Sequence, residues 1–214
     1  VSTPLRPPFA SAVAAPAPEG DAGDRELAAR VRQGDGEAFE TLFRRYYDGL
    51  AAFAEGYVRA PEVAEDLTVD VFVRIWERRA EWELRGTPRA YLYSAVRNEA
   101  LAWLRRRKMV ERAHAGAAAD GRNPGMGAAP LDSDAEVQAR ELEEAAEHAI
   151  LRLPERSREA FVLHRRHGLS YAEVAQAMGI SPKTVEIHIS RAFKSLRAQL
   201  AAFLPLLAGL LVLR

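Results

Sequence analysis

The stretch LPERSREAFVLHRRHGLSYAEVAQAMGISPKTVEIHISRAFKSLR, residues 153–197, decides the fold. Ser170 stands three residues before Glu173, the spacing of a capping box in which hydroxyl and carboxylate each satisfy an orphan amide at a helix start. The helix so opened, Tyr171 to Met178, sets Val174, Ala175 and Met178 on one apolar face. Gly179 then supplies the left-handed backbone that a tight turn needs. Ser181 caps the next helix, and Pro182 suits its first position, where no amide is wanted. From Pro182 to Leu200, the residues Val185, Ile189, Ala192, Phe193, Leu196 and Leu200 form one stripe that is expected to be buried. Lys183, Thr184, Ile187, His188, Arg191 and Ser195 fall on the other side.

A short helix, a glycine turn and a longer helix with a polar outer face make a helix-turn-helix, a reader of the DNA major groove. Lys183 and Arg191 neutralise phosphates, Arg191 and His188 donate to guanine, and Ile187 packs on a thymine methyl. Glu186 lies near that face, where it either accepts from a cytosine amine or is merely solvated. The alternative is a three-helix bundle whose outer face does nothing but meet water.

Upstream of this block, residues 113–130 (AHAGAAADGRNPGMGAAP) offer little to bury and read as a linker. Residues 24–108 are helical in pattern throughout, and strand signals are nearly absent. The expectation is therefore an all-α chain of two small helical domains, 24–112 and 132–200, joined by a flexible linker at 113–131. Residues 1–23 are rich in proline and alanine. Pro4, Pro7, Pro8, Pro16 and Pro18 break any secretory apolar run, so this reads as a disordered tail. Residues 201–214 form an apolar C-terminal tail, shorter than the ~20 residues of a membrane span. It reads either as packing on its own domain or as a docking segment for an inhibitory partner or membrane surface.

The first domain carries two candidate faces. In APEVAEDLTVDVFVRIWERR, residues 60–79, Leu67, Val71 and Ile75 make one apolar line with Phe72 beside it, while Val69, Val73 and Trp76 point elsewhere. A helix apolar on more than one side is either deeply buried or docks on a partner. Downstream, Tyr91, Tyr93 and Trp103 share a helix with Arg97, Arg105, Arg106, Arg107 and Lys108. Aromatic and basic residues interleaved in this way suit a single-stranded nucleic acid, with bases on rings and phosphates on cations. The polar segment ELRGTP, residues 83–88, suits an extruded base. Alternatively, Tyr91 and Trp103 are core and the cations an ordinary charged helix end.

Composition excludes several classes. A formal net charge of zero rules out a uniformly basic coat, so nucleic-acid contact must use local basic faces. The absence of cysteine removes disulfides, thiolate metal sites and cysteine nucleophiles, and it suits a reducing cytoplasm. His164 and His167 are spaced like metal ligands but lack a third partner nearby in sequence, so no metal is expected. Without a nucleophile–base pairing or a glycine-rich phosphate loop, neither an enzyme, a cofactor nor a small-molecule substrate is expected.

Together these segments resemble the extracytoplasmic-function sigma factors of the sigma-70 family. AEDLTVDVFVRIW (64–76) is similar to the family's polymerase-binding helix, YLYSAVRNEALAWLRRR (91–107) to its promoter-melting helix, and residues 153–197 to its upstream-element domain. The resemblance implies core RNA polymerase, promoter DNA and an anti-sigma factor as partners, and a cytoplasmic setting. It implies that Glu65, Asp66, Val69, Phe72, Val73 and Trp76 lie in or behind a polymerase-binding surface. Glu83, Arg85, Gly86, Thr87, Arg97, Asn98, Arg105 and Arg106 then serve the melted downstream element. Lys183, Thr184, Glu186, Ile187, His188 and Arg191 serve the upstream one. Val69 stands where the family often has glutamine, and Ala102 where it often has aspartate. SPKTVEIHISR also resembles the reading helix of response-regulator activators, so a DNA-binding regulator that never joins polymerase remains an alternative, as does a helical adaptor that binds only protein.

Overall fold

The computed structural model describes residues 21–114 and 144–201, and these are helical apart from turns. Helix α1, Asp21–Arg32, begins inside the stretch expected to be a disordered tail. The reason lies in Asp24, which is buried and accepts hydrogen bonds from Arg45, at 2.5 Å, and from Tyr46. Tertiary pairing, invisible to local composition, thus recruits the first turn. The rest of that tail, the linker beyond residue 114 and the apolar tail from 202 lie outside the described residues.

Gly34, at φ 89°, turns the chain into α2, Gly36–Val58. Asp35 caps it by accepting from the amides of Glu37 and Ala38 at 3.0 and 3.1 Å. Leu42, Tyr46, Leu50, Phe53 and Val58 recur along α2 as its buried stripe. Arg59 ends the helix in the left-handed region at φ 54°, and Pro61 starts α3, Pro61–Glu77, at its first position. A 3-10 turn at Arg79–Glu81 and a loop lead into α4, Pro88–His114, which continues two residues into the expected linker. The core of this unit is filled by Val31, Leu42, Leu50, Phe72, Leu92 and Val96. Each such side chain contributes about 1.5–3 kcal/mol when fully buried.

The second unit comprises α5 (144–151), α6 (Glu155–Arg165), α7 (Tyr171–Met178) and α8 (Pro182–Gln199). The capping box at Ser170 and Glu173 forms as its spacing requires. Gly179 takes φ 66°, and the Ser181 hydroxyl accepts from the amide of Thr184 at 3.1 Å. Leu163, Leu169, Val174, Val185 and Ile189 fill the core. Phe193 departs from the expected stripe: it is 45% exposed and rests edge-on against Phe161, with ring centroids 5.6 Å apart. Following Ala192 directly, it is rotated by about 100° from the centre of the buried face. The two units are not apart, since α7 lies against α4.

Candidate polymerase and nucleic-acid interfaces

Helix α3 divides its apolar residues between two sides. Leu67, Val71, Phe72 and Ile75 are buried, whereas Val69 and Val73, one turn apart, are 40% and 46% exposed beside exposed Glu65 and Asp66. Phe72 is not a surface residue: its ring meets Phe43 at 4.9 Å and Phe39 at 6.1 Å, so it supports the outer face from behind. Trp76 is half-buried against Phe39 at 5.0 Å, with the Arg79 guanidinium 4.6 Å over its ring. The outer side is thus an apolar strip flanked by carboxylates.

Between α3, the following loop and α4 opens a depression of about 610 Å³. Glu83, Arg85 and Asn98 line it together with Trp82, Tyr91 and Ser94. Trp82 is buried, and its indole N–H finds no acceptor among the described residues. At the rim Arg74 donates to Glu99 at 2.7 Å, and that hydrogen bond holds the Glu99 carboxyl below its ordinary range. Arg105 and Arg106 are exposed further along α4. Asn98, half-exposed Ala102 and Arg105 succeed one another at helical spacing, which carries the depression toward these cations. Tyr93, read from sequence as a base-stacking ring, is a core residue packed on Phe53 and His167.

Helix α8 presents an outer strip of Lys183, Ile187, Ser190, Arg191 and Lys194. Lys183 donates to Glu186 at 2.8 Å, so the acidic residue at this edge is held by its own helix neighbour. Sequence reading did not single out Ser190 and Lys194, although both recur from Ile187 at spacings of three and seven. His188 and Thr184 are turned away from the strip. The His188 Nδ1 lies 3.3 Å from Ser157 Oγ on α6, and the Thr184 hydroxyl is 2.8 Å from Ser181 Oγ within the cap. His188 follows Ile187 by one residue, and that step of about 100° rotates it off the open face.

Comparison with known proteins agrees with this geometry. Residues 42–109 match the family model for sigma-70 region 2, and residues 143–196 match that for sigma-70 region 4. The chain is 30% identical to the RNA polymerase sigma factor CarQ of Myxococcus xanthus, over 78% of this chain and 92% of that one. It is 32% identical to the ECF RNA polymerase sigma factor SigM of Mycobacterium tuberculosis, over 85% and 84% respectively. The chain belongs to the extracytoplasmic-function sigma factors. Among solved structures this sigma factor is similar to CnrH in complex with the cytosolic domain of CnrY, at TM-score 0.60 and 28% identity over 84% of this chain and 98% of that one. It shares its fold with RpoE of Bartonella quintana, solved with the anti-sigma factor NepR, at TM-score 0.56 and 24% identity over 76% and 96% of the two chains.

Three expected downstream-element residues of the sigma factor meet its own second unit. Arg97 is buried and donates to Glu159 of α6, so it is not open to DNA as sequence suggested. Burial opposes the charge on Arg97, but the Glu159 carboxylate outweighs it and raises the guanidinium pKa. Tyr57 of α2 donates to the same carboxylate at 2.5 Å, and Arg156 does so at 3.3 Å. Thr87 donates to Glu173 at 3.0 Å while also capping α4 by accepting from the Ala90 amide. Gly86, at φ 104°, lies against the Gln176 side chain, leaving no room there for a Cβ. Arg89, not singled out by sequence, is buried and donates to the carbonyls of His167 and Gly168. No sequence signal marked Arg89 or Tyr57 because neither belongs to a motif; only proximity in space gives them a role.

Among the described residues no helix is long and apolar enough to cross a membrane.

Proposed function

We propose that the chain acts as a sigma factor through three surfaces assigned to individual residues. The outer side of α3, centred on Val69 and Val73 with Glu65 and Asp66, grips core RNA polymerase. The depression bordered by Glu83, Arg85, Tyr91 and Asn98 takes a base from the melted strand, while Arg105 and Arg106 follow its phosphates. Lys183, Ile187, Ser190, Arg191 and Lys194 read the upstream element. Like its family, the chain initiates transcription by recruiting polymerase to promoters, and none of these surfaces is asked to make or break a bond.

The depression between α3 and α4 carries this reading. At about 610 Å³, lined by three arginines (Arg74, Arg78, Arg85), three glutamates (Glu81, Glu83, Glu99), the Asn98 amide and two aromatic rings, it offers an extruded base both a stacking partner and edge contacts. A regulator that reads only duplex DNA has no use for it, and neither has an adaptor that binds only protein. Free energy then comes from phosphate neutralisation and base capture, so promoter affinity falls steeply with salt. A partner that is polymerase supports a cytoplasmic setting. An anti-sigma factor is a further partner in this reading, supported by the similar CnrH having been solved with the cytosolic domain of CnrY.

The test is in-vitro transcription with core enzyme on a random promoter library. The expected result is specific initiation, lost in the Lys183→Ala/Arg191→Ala double variant while association with core enzyme persists. Transcription undiminished in that variant would overturn the assigned groove face, and failure to associate with core enzyme would overturn the whole reading.

A further inference from the structure

We infer that the ion pair between Arg74 of α3 and Glu99 of α4 reads the captured base, selecting one that carries an exocyclic amine over thymine. The inference rests on the strand-binding reading above and adds which bases that site prefers. Its basis is a pair that is fixed but not saturated. Arg74 Nη1 donates to Glu99 Oε1 at 2.7 Å, and Arg74 Nε donates to the Asp70 carbonyl at 3.3 Å. The guanidinium is thereby pinned both to its own helix and to α4. Neither Arg74 Nη2 nor Glu99 Oε2 has a hydrogen-bond partner among the described residues. Arginine and a carboxylate commonly close as a two-bond fork, whereas this pair closes with a single bond. A donor and an acceptor thus remain side by side. Both side chains line the depression and both are partly exposed, so the spare groups are within reach of a base that enters it.

Of the charged side chains that line the depression, this pair alone is held by side-chain hydrogen bonds among the described residues. That matters for reading, because a side chain already in place gives up no rotamer freedom when the base arrives. Both partners stay ionised. The bond between them lowers the Glu99 carboxyl and raises the Arg74 guanidinium, and Arg106 adds to the first effect. Glu99 therefore only accepts and Arg74 only donates. An unpaired cytosine or adenine carries its amine at the edge of the ring beside an unprotonated ring nitrogen, a donor next to an acceptor. Glu99 takes the amine while Arg74 Nη2 donates to the nitrogen. Guanine offers its amine and ring N–H beside a carbonyl, which the same two groups satisfy. Thymine has no amine, and its one N–H is recessed between two carbonyl oxygens. Both oxygens repel the carboxylate that would accept from it, and only one of them can face Arg74. Tyr91, within electrostatic reach of Arg74 and part of the same lining, supplies the ring on which the base stacks.

The test uses core polymerase carrying the full-length chain, on a promoter recovered from the random library and opened as a heteroduplex. Each unpaired non-template position is made in turn cytosine, uracil or abasic, since uracil is cytosine with its amine replaced by a carbonyl. Capture is marked by the position at which an abasic site weakens open-complex formation most. There the wild-type chain should form open complexes about tenfold better with cytosine than with uracil, and with adenine than with purine, which lacks the amine. Glu99→Gln should bring the members of each pair within about twofold, with the abasic template still the poorest, because a carboxamide turns to offer either an oxygen or an N–H. Arg74→Gln should narrow the preference as well, and it serves if Glu99→Gln melts early. Wild-type indifference within both pairs overturns the inference, and so does a preference that persists in both variants. The strand-binding reading fails on a different result: no unpaired position at which an abasic site weakens the wild-type complex.

Discussion

Trp82 meets Tyr91 edge to face, with ring centroids 5.6 Å apart and planes at 62°. The pair joins the loop after α3 to the first turns of α4 and forms part of the wall of the depression between them. One ring therefore has two duties, packing and an indole N–H that has no acceptor among the described residues.

These duties separate by substitution. Trp82→Phe keeps the edge contact and removes the N–H, so thermal stability should stay within about 1 kcal/mol of wild type, whereas Trp82→Ala should cost about 3–5 kcal/mol. If the N–H serves a captured base, polymerase carrying Trp82→Phe should form open complexes several-fold less well on a forked promoter. Equal open-complex formation would assign Trp82 to packing alone.

On α3, Val69→Asp/Val73→Asp should abolish co-purification with core polymerase while leaving the helical circular-dichroism signal and melting temperature nearly unchanged, since both side chains are exposed. Phe72→Ala should do the reverse first, destabilising the domain by about 3–5 kcal/mol through a cavity beside Phe39 and Phe43. Retained polymerase binding in the double aspartate variant would place the docking surface elsewhere.

For the upstream element, Arg191→Ala and Lys194→Ala should each weaken promoter binding. Each should also lower the slope of log affinity against log salt by about one for every phosphate no longer neutralised. His188→Ala should leave that slope and the preferred sequence unchanged, because its ring nitrogen faces Ser157. A change in base preference on replacing His188 would show that it turns outward on DNA.

His167 makes the folded state sensitive to acid. Its burial, reinforced by Arg166 and Arg89, pushes the imidazole pKa down to about 3 from 6.5. The Tyr93 phenol, itself raised by burial, also packs against the ring. Because the folded form disfavours protonation, the unfolded chain binds the extra proton. The stabilisation is complete above pH 6.5 and is lost progressively as pH falls toward 3. Thermal stability should therefore fall as pH drops below about 6, and the imidazole resonances of His167 should show no titration near 6.5. A normal titration curve would show that the ring is not enclosed in solution.

Much of the fold was legible locally. The capping box at Ser170 and Glu173, the left-handed Gly179, the Ser181 cap and the line Leu67–Val71–Ile75 all take the geometry their spacing requires, because caps and helical stripes depend on neighbours within a few residues. The site was legible in part. Val69, Val73, Asn98, Arg105, Ile187 and Arg191 are exposed and Phe72 sits behind the α3 surface, but Tyr93 is core, and His188 and Phe193 face other ways than their spacing suggested. In each case a difference of one residue on a helix, about 100°, decides between two faces that composition cannot tell apart.

By itself the sequence determined two all-helical units, the helix-turn-helix and the resemblance of three segments to one family, since these rest on short-range spacing. Only the tertiary structure decided that Arg97 belongs to Glu159, that Asp24 pins the first helix to α2, and that Glu173 serves two units at once. Those pairings span 62, 21 and 86 residues of chain. A charge separated that far from its partner has no local signature; the low-dielectric contact that makes the pair strong exists only after the helices have packed.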